Sequence, residues 1–237
     1  MLAGVNICLM EPSGASKRGY HHGDLRNALI AAAAELAAKG GPGSVTIRAA
    51  AREVGVTPTA AYRHFAKHEE LLAAAKECAQ NELVEAMQKQ LAARSTSSDP
   101  VHRALARFGA LGRGYIAFAR AQPGLFRTVF SPEGLVLPSE SDHEKDGPFQ
   151  MLLGAVDELV EVGYLSHERS PFTEFAAWAM VHGLATLLDG PLRDMPDDVR
   201  DEAIVHSMVV LGHGLKGNGL TKAQETLLAD ELRRLND

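Results

Sequence analysis

Apolar residues recur along this chain at helical spacing. In the stretch SVTIRAAAREVGVTPTAAYRHFAKH, from Ser44 to His68, Ile47, Ala50, Ala51 and Val54 stand at i, i+3, i+4 and i+7, one stripe of a short helix. Thr46 precedes that stripe, where a hydroxyl can satisfy a free backbone N–H. Gly55 follows it, where a left-handed residue commonly ends a helix. Val56 is apolar and turns inward. Thr57 can then cap a second helix whose first position is Pro58, a site that needs no N–H. Ala61 and Phe65, four apart, face the first helix. That leaves Thr59, Ala60, Arg63 and His64 on the outer face, with Tyr62 at its edge.

The same periodicity organises the rest. Upstream, Asp24 caps a predicted helix with Leu25, Leu29, Ala32 and Leu36 on one face, closed by Gly40-Gly41-Pro42-Gly43. It braces the helix pair into a three-helix head. Downstream, a long helix from Lys67 to Arg94 turns Leu71, Leu72, Ala75, Cys78, Ala79, Leu83, Ala86, Met87 and Leu91 inward. Cys78 on that face reads as a small buried hydrophobe. After the polar break Ser95–Pro100, helices are expected over Val101–Ala121, Pro123–Phe130 and Phe149–Val162, with a long loop over Ser131–Pro148. Two late helices, Pro171–Leu188 and Asp197–Leu215, are apolar over more than one face, and Gly183 within the first predicts a close helix approach. A last amphipathic helix is expected over Thr221–Leu235. No segment alternates with period two, so the fold class is all-α: a helix-turn-helix head followed by a helical bundle.

Charge changes the picture more than composition does. The 237 residues carry a formal net charge of -6, which alone argues against nucleic acid. Its distribution reverses that argument. Lys17–His68 holds eight Lys/Arg and three acids, so the remainder is strongly acidic. A basic head on an acidic body is the electrostatic footprint of DNA binding combined with another binding function. Lys17 to His22 form a basic arm that could reach phosphates or simply be solvated. The two cysteines, Cys8 and Cys78, make neither a disulfide framework nor a zinc pattern and fit a reducing cytoplasm. Met1–Met10 is apolar but lacks a basic flank and a cleavage site, and Met10 could serve as the start. No run reaches membrane-spanning length, so no membrane partner is expected.

The expected domains are a tail over 1–17, a DNA-binding head over 18–66 and a helical body over 67–237. The outer face of the second short helix suits the DNA major groove, although an ordinary helical hairpin would share its spacing. His64 and His68 lie four apart but have no third ligand, so no metal is expected. No nucleophile–base pair, phosphate-binding Gly loop or cofactor motif is present in the pattern, which argues against an enzyme. In the body, Phe108, Tyr115, Phe118, Phe126, Phe130 and Trp178 could line an apolar pocket or simply fill a core. The apolar excess of the two late helices predicts a dimer contact through Phe175, Ala179, Gly183, Ile204, Met208, Leu211, Gly212 and Leu215.

The stretch TIRAAAREVGVTPTAAYRHFAKHEELL, with the preceding YHHGDLRNALIAAAAEL, resembles the DNA-binding signature of the TetR family of bacterial transcriptional regulators over Arg18–Leu72. The resemblance implies that Thr46 and Arg48 contact the DNA backbone. It places Thr57, Thr59, Ala60, Arg63 and His64 on the reading helix, with Tyr62 against a phosphate. Arg63 then suits a bidentate guanine contact and Ala60 a thymine methyl. The family usually has Lys where His68 stands. Here Lys67 comes one place earlier, so either residue could make that phosphate contact. The segment AAWAMVHGLATLL, Ala176–Leu188, resembles the Trp…His-Gly signature of one C-terminal class in the family. It implies a dimerising, effector-binding body and adds His182 to the ligand candidates, although a lone His in an apolar helix is more often a hydrogen-bonded core residue. The expected function is a cytoplasmic homodimeric regulator, most commonly a repressor of a palindromic operator. An apolar or amphipathic small molecule would release it. The alternative is a DNA-binding regulator with no effector.

Overall fold

A computed structural model describes residues 22–94, 96–132, 147–217, 220–221, 223–224 and 226–227. The tail, most of the basic arm, most of the Ser131–Pro148 loop and most of Thr221–Leu235 lie outside the described residues. The described elements are α1 (His22–Gly40), a single 3₁₀ turn (Pro42–Ser44), α2 (Ile47–Val54), α3 (Pro58–Tyr62), α4 (His68–Ala92), α5 (Pro100–Ala121), α6 (Pro123–Val129), α7 (Pro148–Glu161), α8 (Thr173–Asp189) and α9 (Asp197–Lys216). There is no strand among the described residues, so the fold is all-α. The chain forms two compact units. The described residues of Met1–Ala92 and Arg113–Gln150 make one, and those of Ala93–Gly112 and Met151–Asp237 the other. The division falls inside α5, and the first unit takes in more than the expected head.

In the first unit α1 packs against α2, α4 and α6. Leu25, Leu29, Ala33 and Ala37 of α1 are buried at four-residue intervals. Leu71, Leu72, Ala75, Ala79, Leu83 and Met87 of α4 and Leu125 of α6 are buried with them in the first unit's interior. The Ser44 hydroxyl donates to the carbonyls of Leu36 and Gly41, each at 2.6 Å, and so ties the turn to the end of α1. Gly124 at the start of α6 has no room for a side chain. A Cβ there would meet the carbonyl oxygens of Ala37 and Ala38. Cys78 is only half-buried, because the buried face of α4 rotates past it to Lys76.

The second unit has its own core of Ala104, Val156, Leu159, Leu165 and Leu215, flanked by Leu105, Phe108, Leu152 and Leu211. Arg107 pairs with Glu158 at 3.0 Å, and the Tyr164 hydroxyl donates to the Gly212 carbonyl at 3.0 Å. The close approach expected at Gly183 is not made among the described residues: outside its own helix backbone and chain neighbours, none of their atoms lies within 4 Å of where its Cβ would stand. Phe172 and Phe175 are both exposed. Phe172 stands before α8 with φ 64 and keeps 73% of its surface in solvent.

Candidate nucleic-acid interface

Local chemistry builds the α2–α3 pair. The Thr46 hydroxyl accepts from the Ala49 amide at 3.1 Å, and the Thr57 hydroxyl accepts from the Ala60 amide at 3.3 Å. Each threonine thus caps its helix and keeps an O–H that can still donate. Gly55 ends α2 with φ 76 and ψ 28, the left-handed conformation that costs glycine least. Val56 N–H then donates to the Ala51 carbonyl at 2.9 Å, closing the turn. Pro58 opens α3 as its first residue. Ile47, Ala50, Ala51, Ala61 and Phe65 are buried, and they hold the two helices together.

The consequence is a presented face. Thr59, Tyr62 and Arg63 are exposed, while Ala60 and His64 are half-buried beside them. Arg63 closes α3 in right-handed conformation, and Phe65 N–H still donates to the Ala61 carbonyl at 3.1 Å, so helical hydrogen bonding runs past the end of α3. Thr46 and Arg48 are exposed at the start of α2, and Lys67 and His68 are both exposed where α4 begins. The Glu70 carboxylate reaches back to accept from the Ala66 amide at 3.0 Å, which fixes the entry into α4. Every DNA-contact residue expected between Thr46 and His68 lies in this one α2–α3–α4 segment of the first unit, while most of the basic arm lies outside the described residues.

The candidate ligand residues divide. Tyr115, Phe126 and Phe130 form one cluster in the first unit, with ring centroids 5.6, 5.9 and 5.1 Å apart. Phe118 is buried on the same stretch of α5. Phe108 instead flanks the core of the second unit. Trp178 and His182 form an edge-to-face pair there, at 6.4 Å, and burial pushes the His182 imidazole below its ordinary value. Lys76 escaped the sequence pattern. It is buried on α4, and its ammonium donates to the Ser131 carbonyl at 2.8 Å. A lysine one place from the apolar stripe gave no signal of that.

The candidate dimer residues also divide. Phe175 and Ala179 are exposed or partly so, and Gly183 and Gly212 have open space where a side chain would be. Ile204 and Leu215, by contrast, are buried within their own chain. Leu211 flanks that chain's core, and Met208 lies against Gly112. Ile204 and Leu215 thus use their apolar surface inside the protomer, and Met208 and Leu211, which are half-buried, use part of theirs there. Val199, Val205, Val209 and Val210, which the expected contact did not include, are exposed apolar residues of α9. No helix among the described residues is long and apolar enough to cross a membrane.

Two family models match the chain and together cover more than half of it. Residues 29–75 match "Bacterial regulatory proteins, tetR family", and residues 108–211 match "Tetracyclin repressor-like, C-terminal domain". None of the curated proteins matches. Among solved structures, a protein of unknown function from Rhodococcus sp. RHA1 is 26% identical. It matches with a TM-score of 0.62 over 84% of this chain and 100% of that one. A protein from a Shewanella species assigned to the tetR family of transcription regulators is 18% identical, with a TM-score of 0.54 over 81% of this chain and 97% of that one. The TetR family transcriptional regulator PfmR from Thermus thermophilus is 21% identical, with a TM-score of 0.50 over 81% of this chain and 99% of that one. These last two likenesses concern the fold.

Proposed function

Because this chain belongs to the TetR family of bacterial transcriptional regulators, we propose that it acts in the cytoplasm as a homodimeric repressor of a palindromic operator, released by a small molecule. The observation that carries the reading is the capped α2–α3 pair. Thr46, Gly55 and Thr57 fix it, Ala61 and Phe65 anchor it, and Thr59 on α3 and Arg63 at its C-terminal end are exposed to solvent. Thr57, Thr59, Ala60, Arg63 and His64 read bases or the groove edge. Thr46, Arg48, Tyr62 and either Lys67 or His68 hold phosphates, which position the head without reading sequence.

The aromatic cluster supports an apolar or amphipathic effector. Tyr115, Phe126 and Phe130 lie in the unit that also carries α2 and α3, and α6, which bears Phe126, packs on α1. A ligand that favours one position of α6 therefore biases the head. A dimer must set its reading helices about 34–36 Å apart to meet successive major grooves, so a small tilt is enough to break the match. Linkage then requires DNA to weaken ligand binding by the same factor.

The test is selection of bound genomic fragments by the purified protein, repeated with a metabolite pool present. An enriched inverted repeat that the pool depletes supports the reading. Enrichment that no metabolite changes favours a regulator with no effector. No enrichment of any sequence overturns operator recognition.

A further inference from the structure

Phe65 is almost fully buried, yet one face of its ring is covered by a charge: the guanidinium carbon of Arg26 lies over that ring, 5.0 Å from its centroid. This is within the range at which a cation is held by an aromatic face. Arg26 belongs to α1, far in sequence from the helix pair, and nothing in the sequence pattern singled it out. Its side chain is exposed, and among the described residues no carboxylate is paired with it.

Position gives this contact its meaning. Phe65 N–H donates to the Ala61 carbonyl, so the ring that Arg26 covers hangs from the last turn of α3. In sequence it stands between exposed Arg63 and exposed Lys67 and His68. Arg26 thus brings a fixed positive charge from α1 to the end of the reading helix. A guanidinium held over a ring still has N–H donors to turn outward, and those donors match the oxygens of a phosphate. The side-chain entropy that an exposed arginine ordinarily loses on binding is already reduced by the cation–π contact.

We propose that Arg26 is a DNA-backbone contact, held ready by Phe65, that clamps a phosphate beside the C-terminal end of α3. The inference rests on the DNA-binding reading of the head. It makes Phe65 a positioning residue as well as a core one, and it joins α1 directly to the DNA surface. Such a contact adds affinity for any sequence and releases counterion, so it acts on salt dependence and not on base preference.

The experiment uses the full chain and a fluorescein-labelled duplex of mixed sequence, titrated by anisotropy between about 50 and 200 mM salt. Arg26→Met is the main variant, because an unbranched apolar side chain still covers the Phe65 ring but carries no charge. Arg26→Lys keeps the charge and loses the planar fork. Arg26→Met is expected to keep the wild-type Tm and to make the slope of log affinity against log salt shallower by about one per protomer. Arg26→Lys should keep most of the slope while binding more weakly than wild type. An Arg26→Met protein that is less stable but has an unchanged salt slope would show that Arg26 only covers Phe65, and would overturn the proposal. So would an unchanged slope at unchanged stability. A wild-type chain with no salt-dependent affinity for the duplex would overturn the DNA-binding reading itself, and this inference with it.

Discussion

At the scale of the residue, the contacts proposed for Arg63 and Arg48 are of two kinds. Arg63 closes α3 with its side chain in solvent, and Arg48 is exposed in the first turn of α2. A side chain in the groove reads a base, and one at a helix start reaches a phosphate. Arg63→Ala is expected to cost about 1–3 kcal/mol against the preferred operator and to relax preference at one position. Arg48→Ala should weaken all sequences alike. Competition titrations with single-base operator variants check this, and an unaltered preference in Arg63→Ala removes it from the groove. A second residue carries a pH signature. Burial, and then the charge of Glu85, push the Glu82 carboxyl from 4.5 up to about 7. The folded chain therefore holds that proton more tightly than the unfolded chain does. The contribution to stability is full below about 4.5 and is lost as pH rises through about 7. Glu82→Gln removes the ionisable group, so it should raise Tm relative to wild type at about pH 8, with the gap closing toward about pH 4.5. Thermal melts at the two pH values decide it, and a gap that does not change with pH means that ionisation is not the cause.

At the scale of the element, what could be read early was what local chemistry decides. Thr46, Gly55, Thr57 and Pro58 each act within one turn of their own position, so both ends of α2 and the start of α3 were legible from residue type alone, while α3 ends at Tyr62, short of the Arg63 and His64 expected on it. The ends of α4, α5, α6 and α9 came within a few residues for the same reason. Partners across long sequence separations were not legible. Nothing in PGLFRTVF says that Gly124 sits on the carbonyls of α1, because the requirement lies in Ala37 and Ala38, more than eighty residues away. Helix α9 hid its phase differently. Its run of Ile204, Val205, Met208, Val209, Val210 and Leu211 is apolar on all sides, so the pattern could not say which side faces the chain's own core. Nor could it show Arg26 over Phe65. The packing of α6 gives a direct test of its link to the head. Gly124→Ala must push α6 off α1, since the colliding atoms are backbone oxygens and cannot rotate away. It should destabilise the fold by about 1–3 kcal/mol and weaken operator binding. Gly43→Ala, where no described residue comes within 4 Å of the added Cβ, is the control. Urea unfolding and DNA titration of both variants check it, and equal behaviour would mean that the α1–α6 contact is loose.

At the scale of the whole molecule, the remaining question is what covers the late helices. On α8, Phe175, Ala179, Gly183 and Leu187 recur every four residues, and on α9, Val205, Val209 and Gly212 fall at i, i+4 and i+7. Phe175, Leu187, Val205 and Val209 each keep between 45% and 60% of their surface in solvent, and the two glycines have open space over them. Covering a half-exposed Val, Leu or Phe is favourable by on the order of 1 kcal/mol, so a second copy meeting the same two stripes gains several such contributions at once. A two-fold axis requires self-complementary surface, and large residues alternating with glycine and alanine supply it. Met208 and Leu215 are poor probes of this contact, because each packs inside its own protomer and a charge there would damage the fold. Val209 is the better choice, since its side chain is in solvent in the single chain. Val209→Glu is expected to leave helicity and Tm of the isolated protomer unchanged, to convert the dimer to monomer, and to abolish operator binding while preserving weak attachment to mixed-sequence DNA. The loss of the dimer and the loss of operator binding should come together, because a palindrome rewards only two heads held at a fixed spacing. Sedimentation velocity combined with operator titration makes the measurement. A Val209→Glu protein that remains a dimer, or a wild-type chain that sediments as a monomer at micromolar concentration, would place the subunit contact elsewhere and leave these stripes without a partner.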